Sequence, residues 1–496
     1  MNIAMKKEIY YNNFRKECDI MLKKEINDQK EEMIKNLQKL IQIPSVNSPV
    51  TSPTMPFGEA PAKALDFMLS LGDSLGFKTK NLDGYCGYIE FGEGEKLVGI
   101  IGHLDVVPEG ENWTYPPFSA IIDDNKIYGR GAIDDKGPVI ASLYAMKVVM
   151  DYCTKNQINL NKRVRLILGL NEENDWKCID YYKAHEETPS IGFSPDADFP
   201  CIYAEKSIMS EYVKMDYADF LKNHFENDSL IIQDLECHEN AINVVPKIAS
   251  CTLKINSSKL DMSVLIKNIQ TILESEKFEI DIYKMNLEEV KLTSHGIQAH
   301  AAHPDLGVNA ISQLLIVLNR LFKIYGINLP ILNFFEDKIG MEYTGKSLNI
   351  ACEDESGILT LNVGKCFLKD GLIELGFNLR IPVKTNPFEI HNQISKIAQE
   401  NYGLLAETKR LQDALYIPKD DFLVKTLCSI YNEITHSNEE PVAIGGGTYA
   451  RAFPNCISFG ANLPGQKDMC HQTDEFISVD NLLLACEIYS EAIFRI

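Results

Sequence analysis

The sequence predicts an α/β protein with a second, α+β domain inserted into the first. Short apolar strands alternate with helices early in the chain, as in "KLVGIIGHLDVV", "PVIASLYAMKVVMDYC" and "RVRLILGLNEE". This alternation is typical of a sheet flanked by helices. From about residue 208 the pattern changes to half-buried antiparallel strands, and the C-terminal part returns to mixed elements. We therefore predict one domain over 1–207 and 395–496, interrupted by an inserted domain over 208–394.

The elements follow from local patterns. Apolar residues at helical spacing predict a long helix from residue 4 to 42, followed by a Pro- and Ser-rich loop over 43–59. The helix could lie on a membrane surface or pack on its own domain, and its balanced charges favour packing. In the inserted domain we predict a helix over 307–326, a hairpin over 358–383 that turns at "KDG", and a helix over about 386–401.

Composition excludes several classes of function. The 496 residues include 70 acidic and 49 basic side chains, a formal net charge of -21, which argues against nucleic acid or an anionic membrane as a partner. No apolar run approaches the roughly 18 residues of a membrane-spanning helix, and the N-terminus lacks the apolar segment of a signal peptide. The 13 cysteines are scattered without a CxxC pair, so we expect free thiols and a cytoplasmic protein.

Acidic residues and one histidine cluster at the ends of apolar runs. The clusters are His103 with Asp105, Asp134 with Asp135, Glu172 with Glu173, and Asp196 with Asp198. Each cluster alone has an ordinary interpretation as a structural pair, a solvated turn or a helix cap. Brought together, so many carboxylates would repel one another without a compensating cation. Imidazole and carboxylate ligands without thiolates suit zinc, and also manganese or cobalt. His471 could supply the second imidazole of a two-metal site.

Six motifs occur in the order known from one enzyme family: "GHLDVVP", "YGRGAIDDKGP", "NEEND", "FSPDADFP", "GGGTYAR" and "HQTDEF". In these motifs the sequence resembles the dinuclear zinc exopeptidases, a family of dipeptidases, aminoacylases and acetylornithine deacetylases, and most of all its bacterial dipeptidases. The resemblance implies a mixed-sheet zinc-exopeptidase catalytic domain with an inserted α+β lid domain. It also implies two divalent metal ions per chain, with Zn²⁺ favoured and Mn²⁺ or Co²⁺ as alternatives.

The resemblance also implies roles for the clustered residues. Its metal ligands would be His103, Asp134, Glu173, Asp196 and His471. Asp134 would bridge both metals because a carboxylate has two oxygens, while the pairing of Glu173 and Asp196 with the metals stays open. Asp105 would orient His103. In the mechanistic hypothesis, Glu172 is the general base for a metal-bridging hydroxide that attacks the scissile carbonyl.

Substrate contacts are predicted in the inserted domain and in a glycine-rich loop. The resemblance favours His300 over His303 as an oxyanion donor, with a loop-surface or helix-cap role as the alternative. It also implies substrate binding by Asn243 and Arg380, although Arg380 could instead form a structural salt bridge. In "AIGGGTYARAFPN" the backbone amides of three residues could hold a substrate carboxylate, namely Gly446, Gly447 and Thr448. Phosphate binding is the rival there, but no nucleotide-binding fingerprint is present.

The sequence thus predicts a metal-dependent dipeptidase with small peptides as substrates. The long inserted domain suggests a monomer. An N-acyl amino acid deacylase of the same family is the nearest alternative, because it would share the metals and Glu172. The other alternative is a non-catalytic metal-binding protein. Glu172 argues against it, because such a protein would not need a base that binds no metal. Cys470, next to His471, could be a bystander or a redox-sensitive thiol.

Overall fold

The computed structural model describes residues 3–224, 229–237 and 241–496, with side chains from residue 22 onward outside 223–228 and 238–240. The chain divides into two compact units. The first comprises Met1–Ala204, Leu415–Val442 and Gly447–Ile496, and the second comprises Glu205–Ala414 and Ala443–Gly446. The second unit is thus an insertion in the first.

The first segment of the chain contains both helices and strands. Its helices are α1 (Ile3–Ile41), α2 (Glu59–Ser74), α3 (Lys136–Asn156) and α4 (Lys177–His185). Its strands are β1 (Lys78–Leu82), β2 (Cys86–Gly92), β3 (Lys96–His103), β4 (Ile121–Asp123), β5 (Lys126–Tyr128), β6 (Lys162–Gly169), β7 (Ile191–Ser194), β8 (Ala197–Asp198) and β9 (Ile202–Glu205).

The inserted segment is richer in strands. Its helices are α5 (Tyr217–His224), α6 (Met262–Glu276), α7 (Ala310–Ile324), α8 (Pro330–Lys338) and α9 (Pro387–Tyr402), with a 3₁₀ turn at Pro304–Leu306. Its strands are β10 (Ser207–Asp216), β11 (Leu230–Cys237), β12 (Val244–Val245), β13 (Ile248–Ile255), β14 (Ile280–Lys284), β15 (Glu289–His295), β16 (Ala299–His300), β17 (Glu353–Asp354), β18 (Gly357–Ile358), β19 (Thr360–Lys369), β20 (Leu372–Ile381) and β21 (Leu405–Gln412).

The last segment returns to the first unit for most of its length. Its helices are α10 (Phe422–Thr435) and α11 (Val479–Arg495), with a 3₁₀ turn at Tyr449–Ala452. Its strands are β22 (Leu415–Tyr416), β23 (Val442–Ile444), β24 (Cys456–Ser458), β25 (Ala461–Asn462) and β26 (Phe476–Ser478).

The main sheet of the first unit is mixed, as the sequence predicts. Its order is β1, β2, β6, β3, β7, β24, β9 and β22, with β23 beside β9. β3 lies parallel to β6 and to β7, and its apolar run is buried from Leu97 to His103. Continuous burial is typical of parallel strands covered on both faces. The carboxyl ends of β3, β6 and β7 therefore meet at one edge of the sheet, where α/β proteins place their ligands.

Helices α1, α3 and α11 pack against one another in the first unit. The described apolar face of α1 is buried from Leu22 to Ile41, and Asn36 donates a hydrogen bond to the hydroxyl of Tyr144 at 2.8 Å. The long N-terminal helix predicted from the sequence is therefore present, and this face packs within its own unit.

The second unit is built on an antiparallel sheet in the order β14, β15, β13, β11, β19, β20, β10 and β21. β19 and β20 form the predicted hairpin, and its turn residues Asp370 and Gly371 have φ of 53° and 79°, as a type I′ turn requires. The domain boundary predicted at residue 394 needs correction. It falls inside α9, whereas β21 pairs with β10 along its length and belongs to the second unit.

Membrane-spanning helices and disulfides are absent from the part of the chain that the structure describes. None of its helices is both long and apolar enough to cross a bilayer. The described cysteine side chains, from Cys86 to Cys486, are all free thiols.

Candidate metal centre

The candidate site lies in the first unit, at the edge where the parallel strands end. His103 is the last residue of β3, and the loops after β6 and β7 carry Glu173 and Asp196. Asp134 lies in the turn before α3, and its peptide bond to the next residue is cis. His471 comes from the loop between β25 and β26. Residues from five separate segments of the sequence therefore converge on one edge.

The five predicted ligands form two groups that share Asp134. The Nε2 atom of His103 lies 3.0 Å from Asp134 Oδ1 and 3.6 Å from Asp196 Oδ2. The Nε2 atom of His471 lies 3.1 Å from Asp134 Oδ2 and 3.0 Å from Glu173 Oε1. Each oxygen of Asp134 thus faces a different imidazole. The sequence left open which acid accompanies which histidine. In the structure Asp196 lies beside His103, and Glu173 lies beside His471.

The charges of this cluster favour cations. Burial alone would lower the pKa of His471, but Glu173 and Asp134 raise it to about 12. Burial also opposes the charge on His103, yet neighbouring carboxylates, Asp196 foremost, raise its pKa well above the ordinary value. The surrounding carboxylates thus favour positive charge at both imidazoles. Two divalent cations would fit the same place, since all the donors are nitrogen and oxygen atoms.

Asp105 contacts His103 through both its main chain and its carboxylate. The Nδ1 atom of His103 lies 2.9 Å from the backbone oxygen of Asp105, and 3.6 Å from its Oδ1. The carboxylate also accepts hydrogen bonds from the backbone N–H groups of Glu172 (3.1 Å) and Glu173 (3.3 Å). Asp105 therefore lies against His103 and, through its side chain, also holds the two glutamates, which the sequence did not predict.

Glu172 lies beside the two groups without belonging to either among the described residues. The indole of Trp176 donates a hydrogen bond to the backbone oxygen of Glu172 at 2.8 Å, which holds the loop from its outer side. Burial raises the pKa of the Glu172 carboxyl well above its ordinary value, with His103 opposing the shift and neighbouring carboxylates adding to it. A carboxyl group in such surroundings holds a proton more readily than one in water.

Two supporting residues were missed in the sequence. Asn47, in the Pro- and Ser-rich loop, donates hydrogen bonds to Asp105 Oδ2 (3.3 Å) and to the backbone oxygen of Leu170 (3.0 Å). Asp135 accepts a hydrogen bond from the backbone N–H of His103 at 3.1 Å. The sequence offered a signal for Asp135, because it stands next to the predicted ligand Asp134. It offered none for Asn47, because nothing in the composition of the loop distinguishes this residue.

Comparison with known proteins agrees with this arrangement. The family profile of "Peptidase family M20/M25/M40" matches residues 99–495. The chain belongs to the peptidase M20 family. Its class is therefore that of a peptide hydrolase, and the family resemblance stated from the motifs is confirmed.

Two relatives match nearly the whole length of this protein. It is 37% identical over 477 residues to "Putative dipeptidase YtjP" of Bacillus subtilis (strain 168), covering 95% of this chain and 98% of that protein. It is 33% identical over 493 residues to a "Putative dipeptidase" of Staphylococcus epidermidis, covering 96% and 99%.

Solved structures share the fold of this M20 chain. Human carnosine dipeptidase 1 and the dipeptidase Dug1p of Saccharomyces cerevisiae each align with a TM-score of 0.55, at 12% identity, over 96% of this chain and 98% of theirs. The metallo-carboxypeptidase Sso-CP2 of Sulfolobus solfataricus aligns with a TM-score of 0.54 at 18% identity, over 94% and 99%. The predicted fold class is thereby confirmed.

The predicted substrate residues of the inserted segment lie in the second unit. Asn243 and His300 are neighbours there, because the short strands β12 and β16 pair and Asn243 accepts a hydrogen bond from the N–H of Ala301 at 2.9 Å. Both side chains are exposed, as is that of His303. His303 precedes the 3₁₀ turn at Pro304–Leu306 but makes no side-chain capping bond.

Arg380 is buried near the end of β20, with 3% of its surface exposed. Its Nε donates to Asn378 Oδ1 at 2.9 Å, and its Nη1 donates to the backbone oxygen of Gly445 at 2.6 Å. These two hydrogen bonds join the guanidinium to neutral oxygens. These bonds hold the guanidinium beside the start of the glycine-rich loop within the second unit.

The glycine-rich loop crosses the division of the chain, with Gly446 in the second unit and Gly447 and Thr448 in the first. A Cβ atom at Gly447 would lie 2.4 Å from Nη2 of Arg451, so a larger residue would require that guanidinium to move. The Thr448 hydroxyl accepts a hydrogen bond from the N–H of Ala450 at 3.1 Å and caps the following 3₁₀ turn. The loop is thus shaped by local contacts.

Cys470 is a protonated thiol in this arrangement. Burial raises its pKa well above the ordinary value, and nearby Asp134 adds to the effect. Because the thiolate is the reactive form, this environment supports the interpretation of Cys470 as a bystander.

Proposed function

We propose that this protein is a metal-dependent dipeptidase. The observation that carries the proposal is the position of Asp134, whose two oxygens each face one imidazole at 3.0 and 3.1 Å. One carboxylate between two nitrogen ligands is the arrangement expected of a two-metal hydrolytic site. Dipeptidase names among relatives that match the full length support the substrate class.

Five residues would hold the two cations, each of the two groups taking one. His103 and Asp196 serve one position, His471 and Glu173 the other, and Asp134 serves both. Zn²⁺ is the favoured ion, with Mn²⁺ and Co²⁺ as alternatives, since imidazole and carboxylate suit all three. When bound, the cations supply Lewis-acid polarisation of the scissile carbonyl and acidify water.

Glu172 acts as the general base and then as the general acid. Its carboxylate takes the proton of the attacking water and returns it to the nitrogen of the leaving amine. The environment of the carboxyl supports this role, because burial raises its pKa and makes proton acceptance more favourable. The backbone of Glu172 is held by Asp105 and Trp176, which fixes the direction in which the carboxylate can act.

Substrate recognition is assigned to the remaining predicted residues. His300 stabilises the oxyanion and Asn243, its neighbour in the second unit, assists in binding. Arg380, together with the amides of Gly446, Gly447 and Thr448, binds the free carboxylate of the dipeptide. The hydrogen bonds that hold Arg380 support this role, because a fixed guanidinium loses little freedom when it pairs with a carboxylate.

We also propose that the enzyme works in the cytoplasm as a monomer. The free thiols support a reducing compartment. The mass of the purified protein in solution tests the oligomeric state, and a dimer would contradict it.

A substrate panel tests the proposed function. The purified chain is assayed against dipeptides, a tripeptide, N-acetylornithine and an N-succinyl amino acid, with Zn²⁺ and Mn²⁺ added separately. We expect dipeptides to be cleaved fastest. Preferential cleavage of an N-acyl substrate would instead identify a deacylase, and no cleavage of any substrate would favour a metal-binding protein. Glu172→Gln is the matched control, and we expect it to keep its metal and lose turnover.

A further inference from the structure

A buried ion pair joins the turn of Asp134 to the loop of His471. The Nη1 atom of Arg130 lies 2.7 Å from Oε2 of Glu475, and the two side chains are 3% and 0% exposed. Arg130 lies four residues before Asp134, and Glu475 lies four residues after His471. The pair therefore connects two parts of the candidate metal centre that are far apart in the sequence.

Both partners also bind the main chain next to the ligands. Oε1 of Glu475 accepts hydrogen bonds from the backbone N–H groups of Ile133 at 3.0 Å and Asp134 at 3.2 Å. Arg130 Nη1 donates to the backbone oxygen of Gln472 at 3.3 Å. One carboxylate thus holds the turn of Asp134, while its guanidinium partner holds the residue that follows His471.

The two imidazoles depend on this pair to different degrees. His103 ends a strand that pairs with β6 up to this residue, and its N–H donates a hydrogen bond to Asp135 at 3.1 Å, so its position is fixed without the Arg130–Glu475 pair. His471 lies in a loop with a backbone φ of 62°, and 49% of its side chain is exposed. The loop needs support from outside to keep the imidazole against Asp134.

We propose that Arg130 and Glu475 are positioning residues that hold His471 against Asp134 and so determine the affinity of the metal position beside His471. The inference rests on the proposed two-metal site. Stability alone gives little reason for such a pair, because a buried ion pair contributes no more on average than well-packed apolar side chains. The hydrogen bonds of the pair to the main chain beside Asp134 and His471 do explain why it is present, because groups that support metal ligands keep them oriented.

Glu475→Gln tests the proposal in the full-length chain. An amide has one oxygen, which can still accept the hydrogen bonds from Ile133 and Asp134, but its NH₂ group then faces the donors of Arg130. The substitution therefore removes the contact that fixes the guanidinium of Arg130 beside the His471 loop, while the hydrogen bonds to the turn of Asp134 are kept. Zinc binding is measured by titration calorimetry on metal-free protein and by metal analysis after dialysis.

We expect the wild-type chain to bind two zinc ions and Glu475→Gln to keep one at full affinity. Affinity for the other should fall roughly 10–100-fold, the usual effect of losing a group that supports a metal ligand. Arg130→Lys is the second variant, in case Glu475→Gln fails to fold. It keeps the positive charge but loses the fork that reaches Glu475 and Gln472 together, so we expect the same pattern more weakly.

Glu90→Gln is the matched control. Glu90 is paired with Arg165 in the same unit at 2.6 Å, with side chains 11% and 4% exposed, and neither residue belongs to the metal groups. We expect it to lower the free energy of unfolding and to leave zinc binding unchanged.

Three outcomes would overturn the inference. Two zinc ions bound at wild-type affinity by Glu475→Gln and by Arg130→Lys would show that the pair positions nothing. An equal loss in Glu90→Gln would show a general effect of destabilisation. A wild-type chain that binds fewer than two ions would overturn both the inference and the proposed two-metal site, which separates that failure from the first two.

Discussion

The carboxylate of Asp105 accepts a hydrogen bond from the backbone N–H of Glu172 at 3.1 Å. Its other oxygen accepts one from the N–H of Glu173 at 3.3 Å. A single buried side chain thus sets the position of the proposed base and of a proposed metal ligand together. His103 depends on it less, because its Nδ1 is bonded to the backbone oxygen of the same residue.

Asp105→Ala should therefore affect Glu172 and Glu173 more than His103. We expect kcat to fall about 10–100-fold and zinc to weaken at the position beside His471, with the position beside His103 retained. Asp105→Asn keeps one acceptor oxygen and should be the milder variant. Steady-state kinetics and zinc titration measure the two effects. Loss of the zinc beside His103 alone would show that the carboxylate is required there instead.

The shared position of Asp134 predicts unequal losses among the ligand variants. His103→Ala and His471→Ala should each lose one zinc ion, because each removes a ligand from one group. Asp134→Ala should lose both, because its oxygens face both imidazoles. Metal analysis after dialysis measures the stoichiometry. If Asp134→Ala retained an ion at wild-type affinity, its carboxylate would serve only one position.

Metal binding should release protons. In the metal-free protein the pKa of His471 is raised to about 12, so its imidazole is charged near neutral pH. Zinc binds the neutral imidazole, so the proton must leave. Because the metal-free state holds the proton and the bound state does not, affinity should rise with pH, by about tenfold per unit for each proton released.

Calorimetry in two buffers with different ionisation enthalpies counts these protons. The heats of zinc binding should differ between the buffers in wild type, and they should differ less in His471→Ala. Equal heats in both buffers for wild type would show that His471 is neutral before zinc binds.

Gly102 allows close packing behind His103. A Cβ atom there would lie 2.5 Å from Cγ2 of Val139 and 2.6 Å from Oδ2 of Asp135, which holds the His103 N–H. Gly102→Ala should lower the free energy of unfolding by ~1–3 kcal/mol, the usual effect of overpacking, and weaken zinc at His103. Urea unfolding and zinc titration measure these effects.

Val139→Ala in the same chain is the control for Gly102→Ala, because it removes only the contact with Cγ2. We expect it to restore part of the stability while zinc at His103 stays weakened. Full recovery of zinc binding in the double variant would mean that Asp135 does not support His103.

Strand-end residues were the most predictable part of the site. His103, Glu173 and Asp196 each follow a visible apolar run, and parallel strands bring such ends together. His471 could not be located in this way, because its loop has no periodic pattern; the need for a second imidazole and the motif resemblance pointed to it. The hydrogen bonds that the Asp105 side chain accepts from the backbone of the two glutamates were also not predictable, since residue spacing does not determine atomic positions.

The misplaced domain boundary and the missed residue Asn47 have similar causes. The predicted boundary at residue 394 lies inside the helix predicted over about 386–401. The pairing of β21 with β10, which keeps that helix in the second unit, joins residues that are distant in the sequence. Asn47 was missed because a polar residue in a loop has the same pattern whether or not it reaches a neighbour.

The order of strands in the first unit has a consequence for synthesis of the chain. Strand β24 lies between β7 and β9, although the whole inserted unit is translated between β9 and β24. The sheet therefore cannot close until residues 456–458 have left the ribosome. The strands of the inserted sheet, from β10 to β21, are contiguous in the chain and can pair earlier. His471 is translated later still, so the two groups of proposed metal ligands are complete only after this residue has left the ribosome.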